Sequence, residues 1–343
     1  MNIKLKQRIL IFLFLIILPL VSLWLMQKKL IVFQGVTMGT NYVLKLYVPQ
    51  WVNKVNVEKA VIDELNRHKM IFSTWEDQSE ISKFNQSQSI KPYAVSNELY
   101  DVVLLSKQLY EQSNGFFDPT IKPLLDLWGF NALDVHYKVI DDGQKLIYLD
   151  YIGMDKLALE NNSFKKAHPK LELDLSSIAK GYIVDQVALV LESYSAQRYM
   201  IEIGGEIKVK ANSAKDAWVL GIQQPDYKIY FGNLYSTIQL TTGAFATSGD
   251  YRNYFIEDDI VYSHIFDPVL GAPVSNTVAS VSVIAPSCAL ADGLATMLMT
   301  MGVSKGLSYV EAHEGIEALF IVRDADLGLE SFVSSGFEHY TVK

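Results

Sequence analysis

A chain of 343 residues, half of them hydrophobic, has the material for one large domain or two modest ones, which excludes a disordered protein. Its 30 basic and 38 acidic residues leave a formal charge of -8, which argues against an extended nucleic-acid surface but permits a local basic pocket for phosphate. The single cysteine, Cys288, rules out an intrachain disulfide, and with six scattered histidines it argues against a zinc site of ordinary spacing.

Lys4, Lys6 and Arg8 precede an uncharged, almost wholly apolar run over residues 9–26, which Lys28 and Lys29 close. At 1.5 Å per residue such a run spans about 27 Å, close to the roughly 30 Å hydrocarbon core of a bilayer. Leu, Trp and Met in "VSLWLMQKK" occupy the places where a cleavage site needs small residues, and no cysteine there can carry a lipid. Residues 1–30 are therefore expected to be an uncleaved signal anchor, and residues 31–343 a body outside the cytoplasm. Lys28 and Lys29 work against that orientation.

Next, "QGVTMGTNYVLKLYV" (34–48) alternates as strands do, and "NVEKAVIDELNRHKMIF" (56–72) has helical spacing. A second helix is predicted over 96–112, capped by Ser96 or Asn97 and stopped before Gly115. Residues 171–210 read as strand "LELDL", helix "SIAKGYIVDQVALVLESY", strand "RYMIEI", a Gly-Gly turn and strand "EIKVKA". "TVASVSVIA" alternates as a half-buried strand, Pro286 and Ser287 break it, and a helix follows with a stop at Gly302. Strands and helices mix without a regular period, and short turns separate neighbouring strands. The expected class is α+β, with mixed, largely antiparallel sheets and packed helices. "FDP" occurs at 117–119 and 266–268, too short a match to claim a repeat.

Phosphate-loop, dinucleotide-binding and zinc-protease signatures are absent. In "LDLSSIAKGYIVDQ" a strand ends at Leu175 and two serines can cap the following helix. Lys180 and Gly181 then fall in its first turns, giving either an anion site or an ordinary capped helix with a solvated lysine. "AFATSGDYRNYF" reads as a turn holding Thr247, Ser248, Gly249, Asp250, Tyr251 and Arg252, which either offers hydroxyls and a guanidinium to phosphate or bonds its own backbone. His264 sits at a strand end before a Pro/Gly turn, as a base or as a structural histidine. Trp75, just past a helix, can stack on a planar ring, and Asp118 can bond a ring nitrogen; the alternative is an aromatic core with Asx-Pro turns, stronger for Trp128 and Phe130. In "ALADGLATMLM" Asp292, placed in the first turn of its helix, and Thr296 four residues on can share a hard cation such as magnesium, or the carboxylate can simply cap.

In order along the chain, "MGTNY", "FSTWEDQSEISKFN", "GFFDPTIKPLLDLWGF", "LDLSSIAKGYIVDQVA", "IEIGGEIKVKA", "ATSGDYRNYF", "YSHIFDPVLGAPV" and "APSCALADGLATML" resemble the ApbE family of FAD:protein FMN transferases over roughly residues 35–325. The resemblance implies a T-fold-related catalytic body, anchored at the inner membrane and facing the periplasm. The implied reaction is magnesium-dependent: FAD is the substrate, FMN is attached to a Thr or Ser hydroxyl of an acceptor protein, and AMP leaves. Acceptors in the family are typically subunits of membrane redox complexes. By the same resemblance Asp292, Thr296 and the backbone carbonyl of Ser177 match metal ligands, Lys180 a phosphate contact, and Trp75 a ring-stacking position. Met38, Ser73, Thr74, Asp118, Gly204, Gly205, Asp250 and Arg252 fall in segments that look like FAD contacts, and His264 matches a residue that assists proton transfer. His264 and Asp292 are both candidates for the base. Two departures stand out: Leu290 replaces a frequent Glu, and the long apolar segment replaces a lipid-bearing cysteine. The rival expectations are a metal-dependent FAD pyrophosphatase and a non-catalytic flavin carrier.

Overall fold

The alternating residues after Gln27 build a long hairpin in the computed structural model, which describes residues 12–15, 18, 27–130, 137–227, 233–324 and 328–342. Strands β1 (Lys28–Thr37) and β2 (Thr40–Pro49) pair antiparallel from Lys28 opposite Pro49 to Thr37 opposite Thr40. Because β1 begins at Lys28, residues 28–30 belong to the folded body rather than to the expected anchor. The rest of that anchor lies largely outside the described residues, among which no helix is long and apolar enough to cross a membrane.

Six more strands extend the hairpin: β3 (Arg198–Ile203), β4 (Glu206–Lys210), β5 (Thr242–Gly249), β6 (Val278–Ala285), β7 (Glu317–Asp324) and β8 (Gly328–Val333). They lie in the sheet in chain order, and every neighbouring pair is antiparallel. The class is α+β, as the irregular alternation of elements implied.

Helix α1 (Lys54–Phe72) starts at Asn53, whose side chain accepts from the Val55 N–H, and its buried stripe of Val57, Val61, Leu65, His68 and Phe72 keeps helical spacing. Helix α2 (Asn97–Gln112) has Ser96 as its cap. These helices, with α3 (Ala179–Ser193) and α4 (Cys288–Glu311), share the large core on one face of the sheet. A hairpin of Trp218–Gln223 with Leu234–Leu240 covers part of the other face, placing Leu220, Ile222, Ile238 and Leu240 against Phe245, Ile284 and Ile321. Consequently β6 is buried at every position, not half-buried as its alternation suggested.

"LELDL" is not a strand. Leu171, Leu173 and Leu175 are buried in alternation, but the Asn85 side chain accepts from the Leu173 N–H and donates to the Leu173 carbonyl, both at 2.8 Å. A buried amide thus takes the place of a neighbouring strand. Conversely, Thr247, Ser248 and Gly249 belong to β5, and the turn begins only at Asp250.

The N-termini of α3 and α4 hold each other. Asp292 on α4 accepts from the Gly181 N–H of α3 at 2.9 Å. Asp185 on α3 accepts in return from the Cys288 and Ala289 N–H groups of α4, at 3.1 and 3.0 Å. Each carboxylate satisfies donors that a helix start leaves without intrahelical partners. Ser176 and Ser177 therefore do not cap α3, whose cap position is Ile178 with no side-chain bond. Ser287 caps α4, so Asp292 lies one turn deeper than expected and serves the other helix. The predicted stop at Gly302 is a kink, with φ 76° and ψ 173°, after which helix resumes.

Gly181 is pressed against the α4 backbone, where a Cβ would collide with the Cys288 carbonyl. Gly181→Ala should force the two helix starts apart and cost about 1–3 kcal/mol. Urea denaturation should show a lower midpoint at unchanged slope.

Candidate active site

The Met38-Gly39 turn, the Gly204-Gly205 turn, the end of β5 and the start of α3 converge at one end of the sheet. They surround a cleft of about 500 Å³, well within the roughly 300–1,000 Å³ range of small-molecule sites. Phe116, Phe117, Phe130 and Phe266 give it an aromatic wall, backed by a separate apolar cluster around Leu124, Leu125 and Trp128. Both "FDP" segments contribute to this wall.

The polar floor is built on α3 and α4. Lys180 Nζ lies 2.6 Å from Glu206 Oε1 and 3.7 Å from Asp292 Oδ1. Burial works against the Lys180 ammonium, but the carboxylates of Asp292 and Glu206 outweigh it and raise its pKa above the ordinary lysine value. Burial also raises the Asp292 pKa, with Lys180 opposing and Glu206 adding to the rise. Glu206 is 3% exposed, and its Oε2 is a buried oxygen with no hydrogen-bond partner among the described residues. Such an atom is costly unless a ligand or water answers it.

Asp292 Oδ2 is committed to Gly181, while Oδ1 faces Lys180. Thr296, one turn along α4, has its hydroxyl 2.9 Å from that of Ser248. Ser177, which precedes the Ile178 cap of α3, also lines the cleft and brings a backbone carbonyl from outside the helix. A carboxylate, a hydroxyl and a carbonyl are a hard-oxygen set of the kind magnesium takes. Among the described residues no group of three or more His, Cys, Asp or Glu side chains could hold a metal. The residues present therefore fit a cation that substrate oxygens help to coordinate.

Gly204 and Gly205 have φ of 69° and 109°, as a two-residue hairpin turn with both central residues left-handed requires. Arg252 lies over this turn and donates from Nη1 to the Gly204 carbonyl at 3.0 Å. His264 follows the strand Ile260–Ser263 and approaches the Asn253 carbonyl with Nδ1 at 3.0 Å. A carbonyl only accepts, so the proton sits on Nδ1 and Nε2 keeps its lone pair. Burial lowers the His264 pKa, against the Asn253 bond that would raise it. Trp75 stands at the rim, 60% exposed. Asp118 accepts from the Thr120 N–H and hydroxyl, and burial pushes its carboxyl up to about 7 despite both bonds.

Of the residues singled out from the sequence, the cleft thus gathers Met38, Trp75, Asp118, Ser177, Lys180, Gly204, Arg252, His264, Asp292 and Thr296. Ser73, Thr74, Gly205 and Asp250 are not in its lining. Ser73 ends α1, and its carbonyl accepts from the Ser79 and Ser82 hydroxyls. Asp250 is turned to a neighbouring cavity of about 320 Å³, bonded by Arg323 through both terminal guanidinium nitrogens and by the Tyr227 hydroxyl at 2.8 Å. The opposing cation, distant in sequence, draws it away. Gly181 faces α4 rather than a ligand. Two lining carboxylates had escaped notice, Asp174 and Glu206. A charge directly after the Gly-Gly turn was the only local signal for Glu206, and the alternation of "LELDL" pointed Asp174 outward.

The sequence model of the ApbE family matches residues 38–320. A Vibrio cholerae serotype O1 relative named FAD:protein FMN transferase is 39% identical over 312 residues, 90% of this chain and 92% of its own. Another so named, from Haemophilus influenzae, is 35% identical over 327 residues, 92% of each chain. Among solved structures, the flavin transferase ApbE from Vibrio cholerae superposes with a TM-score of 0.82 at 36% identity, covering 92% of this chain and 100% of that one. The apo form of Pseudomonas stutzeri flavinyl transferase ApbE gives 0.82 at 32% identity, over 92% and 98% of the two chains.

The buried carboxyl of Asp118 has a consequence for stability. Between the ordinary value of 3.8 and about 7 the folded protein keeps a proton that the unfolded chain releases, so stability falls as pH rises through that window. Asp118→Asn keeps an oxygen for both Thr120 bonds and removes the titration. Its urea midpoint should therefore fall less than the wild type's between about pH 4 and about pH 8, the span over which this linkage operates.

Proposed function

This chain belongs to the ApbE family, and we propose on that premise that it transfers FMN from FAD to a Thr or Ser hydroxyl of an acceptor protein, releasing AMP. The observation that carries the proposal is the meeting of the Lys180 ammonium, the Asp292 and Thr296 oxygens and the start of α3 on one cleft floor. That arrangement suits a pyrophosphate flanked by a planar ring.

Lys180 is held by Glu206 and Asp292 so that its charge meets the phosphates without reorganisation. Arg252, fixed on the Gly204 carbonyl, adds a second cation to the same wall. Magnesium, which Asp292, Thr296 and the Ser177 carbonyl would hold, supplies neutralisation of the pyrophosphate charge when bound. Trp75 at the rim offers a face for the flavin ring, and Asp118 a bond to one of its polar edges.

In the transfer step the acceptor oxygen forms a bond to the FMN phosphorus. The bond from that phosphorus to the bridging oxygen breaks, and AMP leaves with the bridging oxygen. The hydroxyl proton goes to His264 Nε2, the one nitrogen of that ring with a free lone pair. Asp292 is the poorer base, since Oδ2 is tied to Gly181 and Oδ1 faces Lys180. The apolar run over residues 9–26 supports an inner-membrane anchor with the body on the periplasmic side, where subunits of membrane redox complexes would be the acceptors.

The full chain, incubated with FAD, magnesium and a candidate acceptor, should give AMP and an acceptor that stays flavin-fluorescent on a denaturing gel. AMP and free FMN with no flavin on the denatured acceptor would mean a pyrophosphatase, and FAD bound but never consumed a carrier. Asp292→Ala should lower turnover on the order of 100-fold or more through lost metal affinity. His264→Ala should lower kcat by roughly 10²- to 10⁴-fold with little change in the KM for FAD.

A further inference from the structure

We propose that the end of the molecule at which the chain enters β1 is a membrane-docking surface, which rests on lipid headgroups and holds the cleft about 30 Å from the bilayer. The proposal builds on the anchor reading given above and adds a face and an orientation to it.

The apolar run over residues 9–26 ends just before β1. At that end of the sheet the register sets Lys28 beside Pro49, and Lys29 Nζ donates to the Gln50 carbonyl at 3.0 Å. The turn that follows carries Trp51, 57% exposed, while its neighbour Val52 is in the core. Val55, in the first turn of α1, is 67% exposed, and Leu30 of β1 is 50% exposed. Lys28 and Lys29 open β1 and Lys54 opens α1 at this same end, with the Lys28 ammonium donating to the Gln197 side chain at 2.7 Å. The nearest carboxylate along α1, Glu58, is a turn further on and half-buried. A tryptophan and aliphatic side chains that share one end of the molecule with three lysines, where an apolar stretch of sequence leads into β1, match the polarity gradient of a bilayer surface. The apolar groups enter the interface and the ammonium groups meet anionic headgroups.

Two elements give the height independently. Strand β1 has 10 residues and leads to the Met38-Gly39 turn at the cleft, a span of about 33 Å at strand rise. Helix α1 has 19 residues, starts beside Trp51 and ends just before Trp75 at the cleft rim, a span of about 28 Å at helical rise. Both run from the proposed docking end to the site, so the cleft opens at the end away from the lipid. An acceptor hydroxyl must then come from a domain or extended loop that reaches about 30 Å above the membrane, a stretch of roughly nine residues if fully extended. A hydroxyl at the headgroup level is out of reach.

The test uses the full chain in vesicles of phosphatidylethanolamine and phosphatidylglycerol. Spin labels go on Trp51→Cys, Val55→Cys and, as a reference near the cleft, Val269→Cys; the only natural cysteine, Cys288, is buried. Labels at 51 and 55 should show an oxygen-to-nickel-chelate accessibility ratio several-fold above that at 269. Equal, water-like ratios at all three positions in protein that stays with the membrane through carbonate washing would overturn the docking surface and leave the anchor intact. Protein released by the wash would overturn the anchor and the docking together. Dipolar broadening between labels at 51 would assign the face to a second copy of the chain instead.

Discussion

The exchange of carboxylates between two helix starts is the constraint on which the rest of this molecule depends. Asp292 answers the Gly181 N–H, and Asp185 answers those of Cys288 and Ala289. Neither helix start satisfies these donors with a side chain of its own, and Gly181 lets the two backbones touch. The contact places the floor of the cleft at the junction of α3 and α4. It also orients Asp292, since fixing Oδ2 leaves Oδ1 as the oxygen turned to the cleft.

The charges on that floor follow from the same junction. Lys180 stands between Glu206 and Asp292, so two buried carboxylates share one partly exposed ammonium. An isolated buried charge would be expensive. Here the cation is held by both neighbours, and the excess negative charge, together with the unanswered Glu206 oxygen, favours a second cation or the donors of a ligand. The same residues thus serve packing and chemistry, which explains why a carboxylate sits in a segment otherwise made of Ala, Leu and Met.

The neighbouring elements aim the remaining groups. The positive φ values of Met38 and Gly39 and of the Gly204-Gly205 pair turn two hairpins tightly at one sheet end. Arg252 is laid over the second of these, and His264 is fixed by the Asn253 carbonyl in the tautomer that leaves Nε2 free. The long first hairpin and α1 span the molecule from chain entry to cleft, so the body has a defined near and far end relative to its N-terminal segment.

What could be read directly from the sequence was local or ordered along it. The stripe of α1, the Ser96 cap, the Gly-Gly hairpin and the Asp292–Thr296 spacing are all set by residues within a few positions of one another. The order of short motifs was enough to suggest the family. Tertiary structure decided whatever depended on partners distant in the chain. Asn85 turned "LELDL" from a strand into a side-chain-bonded segment, and the hairpin over β6 buried a strand whose alternation suggested one wet face. Arg323 drew Asp250 out of the cleft, and Lys180 brought Glu206 into it. Periodicity reports which face of an element is apolar, because that is a property of neighbouring residues. It is silent on which remote group will satisfy a buried donor, carboxylate or ammonium, because only the packed chain brings those groups within bonding distance.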